Sequence, residues 1–199
     1  MAERAKIAVT GAAGLVGRKL VEALRARGYS VLRLVRRAPT GSDEARWDPG
    51  RGTIDEQALQ GITGAVHLAG DNVASGRWTE AKKERIRSSR VQGTELLARA
   101  LSALEPKPSV LVSASAIGYY GVRGDEVLDE RSAAGAGFLA SVCEEWEAAT
   151  APAREAGIRV VNARIGIVLA SEAVSYTHLT LPTKESRWGG GGGRGGGGG

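Results

Sequence analysis

The sequence predicts a doubly wound α/β domain, a parallel sheet with crossover helices. Three observations predict it. From residue 6 to residue 171, short apolar runs alternate with helix-length segments, the order expected of strands joined by crossover helices. The first apolar run leads directly into three glycines spaced by three, Gly11, Gly14 and Gly17. The segment after them carries Val16, Leu20 and Leu24 at i, i+4 and i+8, which is one face of a helix.

Taken in order, residues 6–10 read as the first strand and residues 15–27 as a helix that Gly28 is placed to end. Residues 30–35 form a second strand. Residues 36–53 contain Pro39, Gly41, Pro49, Gly50 and Gly52 and read mostly as loop. Residues 65–69 make another strand that ends at Gly70. A long helical region covers residues 79–104, with Ser88 and Ser89 as the place where it would break, and Pro106 and Pro108 close it. Residues 109–113 read as a strand, 137–156 as a helix and 158–169 as a final strand. No internal repeat is visible.

Beyond residue 171 no sustained period remains, and the chain closes on ten glycines interrupted by Arg194. Glycine at this density has too much entropy to order, and nothing apolar accompanies it. Residues 172–199 are therefore expected to be disordered. "VSYTHLTLPTK" resembles translated sequencing-adapter sequence, so this tail is read as foreign to a domain of residues 1–171.

Composition narrows the function. The 199 residues are 42% hydrophobic and 25% charged, and no run approaches the ~18 apolar residues of a membrane span. The first strand begins too early to leave room for a leader peptide. Cys143 is the single cysteine, so no internal disulfide can form. A cytoplasmic protein is expected. The net charge of +5 is mixed along the chain, which argues for solubility rather than nucleic-acid binding. No Cys/His cluster has metal-ligand spacing.

The segment "TGAAGLVG", residues 10–17, has the features of a dinucleotide loop. The first glycine allows a sharp turn, the second admits the pyrophosphate, and the third lets the helix pack close to the sheet. The helix start then directs unpaired N–H groups at the phosphates. Thr10, Gly11, Ala12, Ala13, Gly14, Leu15, Val16 and Gly17 are the expected cofactor contacts. An NAD site usually has an acid at the end of the second strand, whereas "SVLRLVRR" ends in Arg36 and Arg37 with no acid near. A guanidinium grips a 2′-phosphate with charge-assisted bonds. NADP(H) is therefore expected in preference to NAD(H).

Several motifs together resemble the short-chain dehydrogenase/reductase superfamily in its extended, epimerase-like branch. They are "TGAAGLVG", "VHLAG" at 66–70, "RVQGTELL" at 90–97, "LVSASAIGYYG" at 111–121 and "RIGIVL" at 164–169. "HLAGDNVASGRWTEAKKERIRSSRVQGT" and "SASAIGYYG" are similar to an NADPH-binding epimerase subgroup of poorly defined activity. The resemblance implies a Rossmann-type fold, with Leu68, Ala69 and Gly70 flanking the cofactor. Ser115, with Ser113 as a competitor, matches the serine that polarises a substrate hydroxyl or carbonyl. It also implies a C-terminal substrate lobe, for which the chain has nothing in place.

The family's Tyr–Lys pair is missing. "GFLASVCEEWEAATAPAREAG", residues 137–157, holds neither residue, and Leu139 and Cys143, or Phe138 and Val142, take the positions. Arg90 stands where the family's helix usually has Asn. Tyr120, beside Tyr119, is the remaining candidate acid, although no Lys lies near it in sequence. Cys143 reads as a buried thiol, His67 as a core residue, and Asp71 as the carboxylate nearest the substrate side, with Arg77 and Trp78 as neighbours. The expectation is an NADP(H)-dependent oxidoreductase or epimerase of atypical mechanism; a non-catalytic NADPH-binding sensor is the alternative. Expected partners are a small-molecule substrate and a second copy of the chain, with neither nucleic acid nor membrane.

Overall fold

The computed structural model describes residues 4–73 and 77–168. The elements run β1 (Lys6–Thr10), α1 (Leu15–Ala26), β2 (Ser30–Val35), β3 (Glu44–Asp48), β4 (Thr53–Ile54), β5 (Gly64–His67) and α2 (Glu80–Ser102). They continue as β6 (Val110–Ala116), a 3₁₀ turn (Ile117–Tyr120), α3 (Phe138–Ala148), α4 (Ala151–Glu155) and β7 (Arg159–Ile165). Among the described residues the strands form one sheet of order β4-β3-β2-β1-β5-β6-β7. All pairings are parallel except the short β3–β4 pair. The strand order reverses direction at β1, so a crevice opens at the carboxyl ends of β1 and its neighbours.

Two-residue alternation in β1 sets which helix covers which face. Ala8 joins Leu32, Leu34, Ala45, Leu97, Leu101 and Leu111 in the larger core cluster. Val9, one residue on, packs with Val21 and Val31 on the opposite face under α1. Helices on both faces make the sheet doubly wound, as the sequence predicts. Contacts within Met1–Ile167 form one unit, and the segment from Val168 onward is a second. Of that second segment only Val168 is described, so the expectations for residues 172–199 lie outside the described residues.

Three expectations about elements are corrected. Residues 36–53 are not mostly loop, because Glu44–Asp48 extends the sheet as β3 and turns back into β4. Trp47, only 3% exposed, supplies the apolar anchor that outweighs the flanking Pro and Gly. The long helix α2 does not break at Ser88 and Ser89. The Ser89 hydroxyl donates to the Ile86 carbonyl at 3.2 Å and accepts from the Asp71 amide at 3.0 Å. Both serines therefore ride the helix without interrupting it. The helix predicted over 137–156 is two helices, divided at Ala149 and Thr150. Pro152 lacks an N–H and would crowd the Ala148 carbonyl, so a continuous helix is excluded there.

Candidate functional site

The turn from β1 into α1 is tight for reasons visible in its glycines. Gly11 has φ +66°, and a Cβ there would lie 2.8 Å from the Leu68 carbonyl carbon. A Cβ on Gly17 would come within 2.1 Å of the Gly11 carbonyl oxygen. The first glycine lets the loop press against the end of β5, and the third brings α1 down onto the loop. Gly14 caps α1 without a side-chain acceptor, and the first helical turn has no acid. Gly14 N–H donates to Gly11 O and Arg18 N–H to Gly14 O, both at 2.9 Å. Among the described residues the amides of Ala12, Ala13, Leu15, Val16 and Gly17 have no partner. Unpartnered donors at an uncapped helix start form an anion cradle.

Thr10 has a different role from the glycines. Its hydroxyl accepts from the amides of Leu68 at 3.1 Å and Ala69 at 3.2 Å. Both acceptor positions are thus occupied, so its proton goes to His67 Nδ1, 2.7 Å away. His67 is therefore neutral with its hydrogen on Nε2. It is completely buried, and burial pulls its pKa down to about 4. As expected it is a core residue, and it locks the β1 and β5 ends together while Leu68, Ala69 and Gly70 flank the cleft.

A cleft of about 990 Å³ runs from the glycine loop across the ends of β2 and β3 on one side and along Leu68–Asp71 on the other. At the β2 end the two arginines divide. Arg37 grips Glu44 through two bonds of 2.5 and 2.7 Å. The Arg37 guanidinium and the Thr40 amide hold that buried carboxyl at about 2. The expectation of no nearby acid is thus corrected, because β3 carries Glu44 back beneath the β2 end. Arg36 lines the cleft and has no ion-pair partner among the described residues. Sequence reasoning missed Asp48, Pro49 and Gly50 on β3's end, and Arg85 and Ser89 on α2, all of which line the cleft. Pro49 and Gly50 had instead signalled loop.

A second polar cluster assembles where β6, β7 and α3 meet. Ser115 lies opposite Arg164 in the β6–β7 register. The Ser115 hydroxyl donates to Glu147 Oε1 at 2.6 Å. Arg164 donates to both Glu147 oxygens at 2.9 Å and through Nη1 to Tyr120 Oη at 3.0 Å. Its guanidinium carbon lies 3.4 Å from the Tyr119 ring centroid. Burial opposes ionisation of Glu147, but the bonds from Arg164 and Ser115 outweigh it and hold the carboxyl below its ordinary range. Tyr120 thus does have a cation beside it, supplied by β7 rather than by a neighbouring Lys. Ser113 is fully buried and bonds only to the Ala114 carbonyl, so Ser115 is the serine in the cluster. Glu147 follows Leu139 and Cys143 at steps of four on α3, a spacing that could have pointed to it.

The remaining candidates have clear places. Cys143 is buried, and burial pushes its thiol pKa up, as expected of an inert thiol. Asp71 pairs with Lys82 at 2.8 Å, not with Arg77 or Trp78. Lys82 holds the Asp71 carboxyl below its ordinary range. Trp78 bonds instead to the Val73 carbonyl and sits edge-on to Phe138. Among the described residues no group of three His, Cys, Asp or Glu is placed to hold a metal. None of the described helices is long and apolar enough to cross a membrane.

A family model described as the NAD dependent epimerase/dehydratase family matches residues 7–177. This chain belongs to that family. It is 46% identical over 166 residues to an epimerase family protein of Mycobacterium bovis, covering 83% of this chain and 54% of that protein. It is 34% identical over 185 residues to human epimerase family protein SDR39U1, covering 89% and 59%. The chain thus spans about half the length of the curated relatives it matches.

Solved structures agree. A nucleoside-diphosphate sugar epimerase from Corynebacterium glutamicum superposes with TM-score 0.73 at 41% identity, over 84% of this chain and 35% of that one. Human SDR39U1 isoform 2, solved with NADPH, gives 0.71 at 27% identity, over 86% and 58%. The Rossmann-type fold and the epimerase/dehydratase family membership are therefore as the sequence motifs imply.

Proposed function

We propose that this chain is the dinucleotide-binding half of an NADP(H)-dependent oxidoreductase or epimerase. The observation that carries this reading is the cradle of amides at Ala12, Ala13, Leu15, Val16 and Gly17, opening onto a cleft lined by Arg36, all without partners among the described residues. The amides hold the pyrophosphate. Arg36 takes the 2′-phosphate, while Arg37 is retained by Glu44. When bound, the cofactor supplies hydride chemistry. NADPH in the related human structure supports the same choice of cofactor.

Donor and acceptor accounting assigns the polar cluster its part. Ser115 gives its proton to Glu147, so it presents lone pairs to a substrate hydroxyl. Tyr120 Oη accepts from Arg164, which leaves its own proton for a substrate oxygen. Ser115 and Tyr120 together fit one substrate hydroxyl at the β6 end, which donates to Ser115 and accepts from Tyr120. The second reading, a non-catalytic NADPH sensor, is favoured by one observation: α3, Phe138–Ala148, contains neither Tyr nor Lys. On either reading the substrate pocket needs chain beyond β7.

Calorimetric titration tests the cofactor assignment. NADPH is expected to bind about tenfold more tightly than NADH, ~1.4 kcal/mol, and Arg36→Met to abolish the difference. Equal affinities in the unmodified chain would remove the 2′-phosphate assignment.

A further inference from the structure

Arg90 is a cation whose place in the fold carries a consequence. It projects from α2 beneath the loop after β5. Its Nη1 donates to the Ile86 carbonyl at 3.0 Å and its Nη2 to the Asp71 carbonyl at 3.1 Å. The guanidinium carbon lies 5.0 Å from the Trp146 ring centroid on α3. A Cβ on Gly70 would come within 3.2 Å of that carbon, so the bare Gly70 backbone is what lets the cation lie against the loop. Burial pushes its pKa down, with Cys143 and Asp71 opposing.

No carboxylate forms an ion pair with Arg90 among the described residues. Its nearest acid, Asp71, is engaged by Lys82, and Arg85 also acts on Asp71. Glu147 is matched by Arg164. The region between the β5 end and α3 therefore carries excess positive charge.

The strand order fixes which part of a dinucleotide meets that charge. The pyrophosphate belongs on the β1–α1 cradle, and the adenosine side runs over β2 and β3, where Arg36 lies. The other nucleoside must run the opposite way, over the β5 end past Leu68–Asp71, because the strand order reverses at β1. Gly70 and Asp71, against which Arg90 lies, are on that path. Oxidised nicotinamide carries a positive charge, and the reduced ring is neutral. A fixed, partly desolvated cation penalises the first and leaves the second untouched.

We propose that Arg90 makes this site selective for the reduced cofactor, so that the chain holds NADPH in preference to NADP⁺. The inference rests on the dinucleotide reading above. It assigns the site a role in either reading, as a reductase that enters its cycle with NADPH or as a sensor of the reduced fraction. A tenfold preference raises the potential of the bound cofactor couple by about 30 mV.

Calorimetry on the full chain with NADPH and with NADP⁺ as separate probes tests it. The expected result is about tenfold tighter binding of NADPH. Arg90→Lys should retain the ratio because it keeps the charge. Arg90→Met should bring the ratio close to one while leaving the NADPH-over-NADH preference intact, since that preference comes from the other end of the cleft. Equal affinities in the unmodified chain, or an unchanged ratio in Arg90→Met, overturns the assignment. The unmodified chain and Arg90→Lys decide the matter if Arg90→Met does not fold. Failure of both cofactors to bind would instead overturn the dinucleotide reading, and this inference with it.

Discussion

The two ends of the sheet's carboxyl edge are built on different principles. At the β1–β2–β3 end the working groups are backbone amides and one side chain, Arg36, and the glycines act by what they lack. At the β5–β6–β7 end they are side chains from distant segments: Arg90, Ser115, Tyr120, Glu147 and Arg164. The first end is set by one continuous turn of eight residues. The second exists only after α3 and β7 have docked. Changes at the glycine loop should therefore abolish binding, whereas changes at the polar cluster should cost stability and leave adenosine-side affinity in place.

The strongest way to break this contrast is Gly17→Val. Its Cβ would fall 2.1 Å from the Gly11 carbonyl oxygen, a backbone atom that cannot step aside alone. The loop must lift from α1, and the amides lose their common focus. NADPH affinity should fall on the order of a thousandfold, ~4 kcal/mol, in a titration followed by NADPH fluorescence. A variant that binds within about tenfold of the original would show that the cradle does not carry the affinity.

The complementary change is Arg164→Met. Side-chain exposures of 17% for Arg164 and 14% for Glu147 place the pair largely out of water. Removing the cation strands a carboxylate that still accepts from Ser115, at a cost of about 3 kcal/mol. Urea unfolding should register that loss, while NADPH affinity stays within about threefold. A large loss of binding without a loss of stability would mean that the two ends are not independent.

The same contrast explains what was legible in the sequence. The strand–glycine–helix turn is local, so Gly11, Gly14 and Gly17 disclose their conformation in one stretch. The alternation of strands and helices is legible for the same reason. The Arg37–Glu44 pair is not legible in the sequence, because Glu44 sits on a strand whose Pro and Gly neighbours signal loop, and only the burial of Trp47 turns that segment into β3. The cation beside Tyr120 was invisible for a related reason. Arg164 lies 44 residues away, and parallel pairing of β6 with β7 is what brings it there. Pattern reasoning locates side chains that act within one element, and it is blind to ion pairs made by tertiary register.

His67 stands at the seam between the two ends, and its titration gives the smallest of the three effects. It is neutral because the Thr10 proton is committed to Nδ1 and because burial holds its pKa near 4, against 6.5 for an unfolded histidine. The unfolded chain therefore binds a proton at His67 below pH 6.5 that the folded chain refuses until about pH 4. The stabilisation is fully present above pH 6.5 and falls away as pH drops through that window. Between pH 7 and pH 4.5 the loss should be about 2.5 kcal/mol, read as a falling urea midpoint. Most shifted carboxylates, Asp43, Glu44, Asp71 and Glu147 among them, are held below their ordinary values. Their contributions are lost chiefly at lower pH, so the window above pH 4.5 belongs mainly to the histidine. His67→Gln keeps a neutral group that can accept from Thr10 and should flatten the dependence there. If the slope persists in that variant, another group links the β1 and β5 ends to pH, and the tautomer assigned from Thr10 has no bearing on stability.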